Sequence, residues 1–304
     1  MANTVIYWIH TLSPTHVGTG RGVGYIDLPI DRDKVTGWPI IRASAFKGVW
    51  ADHYKATEEN RKNNPELKAA FGLTGADDNS TNSGSLIPTD AQLVCLPVRS
   101  FRGTFAWVTS PLCLGMLHRT LTLAGVAGLP AAPAALGDNQ AHHPEGTALV
   151  EDGHIYLEDL DFTAQQCQVA GHWADKIAQW VFASDTNWQQ QFKKRFVVIP
   201  DDVFAYLCET GTEVHTRVRI QDDTKTVAEG ALWTEESLPS ESILAGIVQC
   251  ERVFQKNGQA NGEIKPEQLI DKFAKKELSL QIGGKATVGR GQVRCVFSQI
   301  NGGN

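Results

Sequence analysis

Residues 4–12, TVIYWIHTL, form an almost unbroken run of β-branched and aromatic side chains and predict an opening strand. The pattern then collapses into SPTHVGTGRGVGYIDLPIDRDKVTGWP, where five glycines lie between Gly18 and Gly37 and prolines interrupt the rest. That stretch predicts a long ordered loop or a loose hairpin, and long loops in folded domains tend to carry function. Helical spacing returns in SAFKGVWADHYKA, with Ser44 as the expected N-cap and Phe46, Val49, Trp50 and His53 or Tyr54 on one stripe. Residues 58–85 are polar and predict a flexible insertion. LIPTDAQLVCLPV reads as strand, and SPLCLGMLHRTLTLAG as a helix capped by Ser110 with Pro111 in its first turn. Residues 125–146 predict an Ala/Pro/Gly linker, and TALVEDGHIYLEDL a hairpin turning at Asp152-Gly153. Helices near 172–183 and 186–194, a strand at FVVIP and a short helix after Pro200 follow. Strands at 213–220, 226–233 and 243–253, a helix from Pro266 to Lys276, and strands at 277–282 and 292–298 complete the chain. The irregular alternation and the hairpins imply an α+β fold, a small antiparallel sheet with helices on one face.

Composition narrows the classes. The chain has 304 residues, 42% hydrophobic and 20% charged, as a folded globular protein does. A net charge of −6 argues against coating nucleic acid with the whole surface, but leaves room for a basic stripe on an acidic body. The six cysteines stand singly without a C-x-x-C pair, a pattern of buried free thiols in a reducing cytoplasm. The N-terminus lacks a signal-peptide pattern and no apolar run is long enough for a membrane span.

Three stretches carry candidate chemistry. In EVHTRVRIQ, alternation puts Val214, Thr216, Val218 and Ile220 on one face and His215, Arg217, Arg219 and Gln221 on the other. Such a strand can rest on a core while offering donors to phosphates, or can simply be a solvated face. In QIGGKATVGRGQVR, glycines surround Lys285 and Arg290 without an acid, which permits close backbone approach to an anion or only tight turns. Ser279 occupies the first glycine position of a Walker A loop and Val23 the third of G-x-G-x-x-G, so neither nucleotide motif is met. In GYIDLPID, Asp27 is a lone carboxylate among apolar neighbours, with no ligand partner at metal spacing. Lys47, in the first turn of its predicted helix, adds charge to an end that already favours anions.

The segments SPTHVGTGRGVGYIDLPIDRDKVTGWPIIRASAFKG, RSFRGTFAWVTSP, TRVRIQDDTKTVAEGALWTEESLP and GGKATVGRG resemble, in that order, the backbone subunits of type III-B CRISPR–Cas (Cmr) effectors, in the RAMP superfamily. The resemblance implies a single modified RRM-like, ferredoxin-like palm over 1–304 with finger insertions and a β-hairpin thumb over 209–240. It implies copies stacked head to tail along a CRISPR RNA beside other Cmr subunits, and divalent-metal-dependent cutting of complementary target RNA at regular intervals, with Mg²⁺ the expected ion. The position matching Asp27 is then the catalytic and metal-holding residue, with His16 and Glu236 as weaker catalytic candidates and Glu235 a further acid. Ser44, Lys47, Arg21, Arg217, Arg219, Gly283, Gly284, Lys285 and Arg290 become RNA-contact candidates. A non-catalytic RNA-binding backbone subunit and a metal-independent CRISPR-RNA processing endonuclease remain the alternatives.

Overall fold

The first strand, β1 (Thr4–Thr11), is buried at every residue, and this explains its unbroken apolar pattern. Val5, Tyr7 and Ile9 point into one hydrophobic core, and Ile6 and Trp8 into a second on the opposite side. The computed structural model describes residues 3–22, 24–74, 81–221, 223–254, 264–275 and 277–299. After β1 come β2 (Ile40–Ile41), α1 (Ala43–His53), α2 (Glu58–Asn63), α3 (Pro65–Phe71), β3 (Ile87–Pro88), β4 (Ala91–Arg99), β5 (Phe105–Thr109) and α4 (Pro111–Ala124). The middle holds β6 (Gln140–His143), β7 (Val150–Glu151), β8 (His154–Leu157), β9 (Leu160–Gln166), α5 (Gln168–Val181), α6 (Thr186–Arg195), β10 (Phe196–Val198) and α7 (Asp201–Thr210). The last third holds β11 (Glu213–Ile220), β12 (Val227–Ser237), β13 (Ile243–Gln249), α8 (Pro266–Phe273), β14 (Leu278–Gln281) and β15 (Gln292–Gln299).

The α+β class holds, but the sheet is larger than the pattern suggests. Its strands run β14-β15-β1-β13-β4-β5-β10-β6-β9-β8-β7, with β2 on β4 and β3 on β13. Most pairs are antiparallel; β10 with β5 and β6 with β9 are parallel. Helices cover both faces, not one. Phe46 and Trp50 of α1, Leu67 and Phe71 of α3 and Phe273 of α8 fill the first core. Leu114 and Leu121 of α4, Trp173 and Ile177 of α5 and Phe192 of α6 fill the second. No helix among the described residues is long and apolar enough to cross a membrane.

Three local expectations are corrected. The 58–85 stretch contains α2 and α3, because Phe71 packs edge-on to Trp50 at 5.5 Å and to Phe273 at 5.2 Å between ring centroids; residues 75–80 lie outside those described. The 125–146 stretch is no mere linker, since Gln140–His143 is strand β6, joining β10 to β9. Ser44 does not cap α1. The N-cap is Arg42, and the carboxylate of Asp90 accepts the Ala43 N–H at 2.7 Å. Local chemistry decides elsewhere: Ser110 accepts the Cys113 N–H, and Asp152 and Gly153 both take positive φ in the β7–β8 turn.

Candidate carboxylate site and nucleic-acid interface

The hairpin β11–β12 forms a two-stranded sheet of its own, in antiparallel register from Glu213 opposite Ser237 to Val218 opposite Leu232. Its apolar face therefore has no layer to rest on, contrary to the expectation from alternation. Val214 is 50% exposed and Leu232 65%, and Val218 and Ile220 are also exposed. A projecting two-stranded ribbon with an open apolar stripe results.

The Gly-rich segment around Asp27 docks along the base of this ribbon. Leu28 forms a parallel bridge with Glu235; its N–H donates to the Thr234 carbonyl at 3.0 Å and its carbonyl accepts the Glu236 N–H at 3.0 Å. Asp27 itself is exposed. Its Oδ2 accepts the Thr234 N–H at 2.8 Å and the Thr234 hydroxyl at 3.0 Å, while its own N–H donates to that hydroxyl oxygen at 2.9 Å. The Thr234 N–H, then its hydroxyl, hold the Asp27 carboxyl below the usual carboxylate range; partial desolvation opposes this, and Arg21 adds a smaller charge contribution. Asp27 is thus ionised at neutral pH. Both Thr234 donors fall on Oδ2, and among the described residues no other residue donates a hydrogen bond to Oδ1.

Glu236, at the same ribbon base, has a different environment. It is 2% exposed, and its carboxylate accepts the Ile30 N–H at 2.9 Å, the Thr212 hydroxyl at 2.8 Å and the Arg32 guanidinium. Both its oxygens are engaged inside this chain. His16 is also buried: its Nδ1 donates to the Glu236 carbonyl at 2.6 Å, and its own carbonyl accepts the Gly284 N–H at 2.9 Å. It ties the N-terminal loop, the ribbon base and the closing glycine loop together.

That closing loop is shaped by a close approach. Gly283 has φ +84°, and a Cβ there would sit 2.1 Å from the His16 carbonyl oxygen, so only glycine fits. The Gly284 N–H is already donated to His16, so that group is not free to meet an anion. Lys285, at φ +65°, reaches the buried Glu235 at 2.7 Å and lies 5.8 Å from the Trp233 ring centre. Burial works to raise the Glu235 carboxyl, but hydrogen bonds from Lys285 and from Trp233 Nε1, at 2.6 Å, outweigh it and leave it lowered.

The expected basic residues therefore divide. Arg217 pairs with Glu235 at 3.4 Å and Arg290 with Glu213 at 3.4 Å. Arg219 and Arg21 are exposed, and among the described residues neither makes an ion pair. Lys47 is half-buried on α1; burial, then the Arg61 charge, push its ammonium below the usual lysine range. Ser44 is exposed in the first turn of that helix. Among the described residues no hydrogen bond or ion pair joins Ser44 or Lys47 to the Asp27 loop. Residues that the pattern did not single out are Thr234, Arg32 and Thr212; Thr234 alone had a signal, as the residue that opens the TEESLP segment.

Comparison with known proteins is consistent throughout the chain. The model of the RAMP superfamily matches residues 8–294. The chain is 32% identical to the CRISPR system Cmr endoribonuclease Cmr4 of Pyrococcus furiosus, over 97% of this chain and 96% of that protein. It is 21% identical to the CRISPR system CMR subunit Cmr4 of Saccharolobus solfataricus, over 94% of each. The crystal structure of oligomeric Cmr4 from Pyrococcus furiosus superposes with a TM-score of 0.72 at 27% identity, over 98% of both chains. A chain of the type III-B Cmr-beta complex bound to cognate target RNA shares the fold, with a TM-score of 0.70 at 20% identity, over 97% of this chain and 96% of that one.

Proposed function

The chain belongs to the RAMP superfamily, in the family of the Cmr4 subunits, and from that premise we propose that it cuts target RNA paired to a CRISPR RNA, with Asp27 at the scissile linkage. In this reading it is the backbone subunit of a type III-B effector, stacking with copies of itself beside other Cmr subunits along the guide. The observation that carries the reading is the state of Asp27: exposed, ionised, gripped by one oxygen and open at the other. The β11–β12 ribbon, inside the 209–240 region, acts as the thumb, its open apolar stripe facing the duplex.

RNA supplies its own nucleophile, the 2′-OH, so no serine or cysteine is required. What the chain must do is hold a kinked ribose–phosphate junction so that the 2′-oxygen, phosphorus and leaving oxygen fall in line, and orientation of this kind removes several kcal/mol from a barrier. A carboxyl held below its usual range is a weak proton acceptor. It suits Asp27 to accept the 2′-OH hydrogen bond or to hold a cation through Oδ1. Mg²⁺ is commonly held by one or two carboxylates plus water and phosphate oxygens, so a lone exposed Asp fits it, and no cluster of three His, Cys, Asp or Glu among the described residues offers a fuller cage. When bound, the ion would supply Lewis-acid neutralisation of phosphate charge. Arg219 and Arg21 grip the RNA backbone beside the site, and Lys47 does so further along; His16 and Glu236 hold the site's shape.

Asp27→Asn in every copy of the assembled complex tests this. Assembly and target binding stay at wild-type levels while cleavage falls by about 10³-fold or more. Cutting at the wild-type rate would remove Asp27 from the mechanism.

A further inference from the structure

Asp27 sits on a segment without regular secondary structure, and its function as read above needs a single carboxylate orientation. An exposed aspartate left alone samples several χ1 rotamers and a broad χ2, so its carboxylate points in several directions. Its own loop supplies only the lesser effects of Arg21 and of the Asp27 backbone. The restraint comes from β12, across the interface with the ribbon.

We propose that Thr234 is the positioning residue for Asp27: its hydroxyl and N–H together clamp Oδ2, leave Oδ1 alone facing solvent, and yoke the carboxylate to the ribbon base. The inference rests on the assignment of Asp27 above. Its geometry is closed on itself. The hydroxyl donates to Oδ2 at 3.0 Å and its oxygen accepts the Asp27 N–H at 2.9 Å, so one Oγ1 touches both ends of the same residue. The Thr234 N–H adds a second donor to the same carboxylate oxygen at 2.8 Å. The Tyr25 carbonyl, at 3.3 Å, is the longer and competing acceptor for that hydroxyl. Threonine is stiff at χ1 on a strand, so the hydroxyl is presented in a fixed direction.

The hydroxyl's role is separable from holding the loop to the strand. Loop and strand are joined through backbone groups, Leu28 N–H to the Thr234 carbonyl and Glu236 N–H to the Leu28 carbonyl. Those bonds persist when the hydroxyl becomes a methyl. The remaining neighbours act elsewhere: Arg21 supplies only a lesser charge effect on Asp27, and Glu236 spends its oxygens on Ile30, Thr212 and Arg32. Because the clamp is anchored in β12, a ribbon that shifts when it meets the duplex carries the carboxylate with it.

The test compares Thr234→Val and Thr234→Ser, with Asp27→Asn as reference, in the assembled complex. Thr234→Val lowers the single-turnover cleavage rate about tenfold, the worth of one hydrogen bond to a charged group, at unchanged target affinity. Thr234→Ser restores the rate to within about threefold of wild type on the same scale. Thr234→Ala, which removes the hydroxyl and needs no new packing, repeats the loss independently of how valine fits. A second readout needs no cleavage: three-bond N–Cγ couplings in the aspartate-labelled full chain show one Asp27 χ1 rotamer in wild type and Thr234→Ser, and an averaged one in Thr234→Val. Wild-type cutting by Thr234→Val with a single Asp27 rotamer overturns the positioning role, as does a rate loss that serine does not rescue. If Asp27→Asn itself still cuts, the reading of Asp27 fails first; if that variant is dead and Thr234→Val is normal, the inference about Thr234 alone falls.

Discussion

Asp27 and Glu236 bind the same joint by mirror-image bonds and end in opposite states. The loop's carboxylate takes an N–H from the strand, that of Thr234, and the strand's carboxylate takes an N–H from the loop, that of Ile30. Glu236 then gains Arg32 and Thr212 and is sealed at 2% exposure, so that neither oxygen stands open to a substrate. Asp27 gains only Thr234 and stays exposed. Of two acids at one joint, the buried one is a structural tie and the exposed one, in the proposed reading, is the reagent. Availability, set by how many donors converge on each carboxylate, separates the roles that residue type alone leaves equal.

The largest effect on that comparison comes from removing the tie. Glu236→Ala leaves Arg32 and the Ile30 N–H without their partner, and breaking a buried pair costs about 3–5 kcal/mol. Melting curves show Tm lower by roughly 10 °C, whereas Asp27→Asn stays within about 1 °C of wild type. Equal stability losses in the two variants would erase the distinction. The next effect contrasts cations in the same way. Arg219, without an ion pair among the described residues, loses more on substitution by Ala than Arg290, already engaged by Glu213. RNA affinity of the assembled complex falls by about three- to tenfold for Arg219→Ala, and the slope of log affinity against log salt shrinks by about one. A uniform loss at both positions would mean that the internal pairs open on binding.

The smallest effect is a pH dependence at Glu235, the third acid of the joint. Its folded carboxyl is lowered: burial works to raise it, and the hydrogen bonds of Lys285 and Trp233 outweigh that. A group lowered in the folded state contributes stability above its unfolded value, near 4.3, and loses that contribution as pH falls through the folded one. The stability gap between wild type and Glu235→Gln is therefore constant from about pH 8 to 6 and closes below about pH 4. A gap that widens on acidification would reverse the assigned sign.

Much of this was legible where the determinants are local. The run TVIYWIHTL announces β1, Ser110-Pro111 announces α4, and Asp152-Gly153 announces the β7–β8 turn. The family was legible through resemblance, which also pointed to Asp27 as the proposed catalytic residue. What escaped depends on partners distant in sequence. The cap of α1 comes from Asp90, the packing of α3 from Trp50 and Phe273, and the second helical layer from α4 and α5 folding back onto β1 and α6 onto β5. Alternation in EVHTRVRIQ identified two faces correctly but could not say whether a layer would cover the apolar one. The resemblance made Glu236 a weaker catalytic candidate; Arg32 and Thr212, brought in from other elements, engage its carboxylate.

The central claim is that the open oxygen of Asp27 meets the target backbone. It is tested most directly by solving the assembled complex of the Asp27→Asn variant with guide and uncut target. The account predicts that the substituted amide side chain lies against a target-strand phosphate, in direct contact or one water away, with Thr234 still holding its other terminal atom. A side chain turned away from the target strand at this position, beyond reach of any of its phosphates, would contradict it.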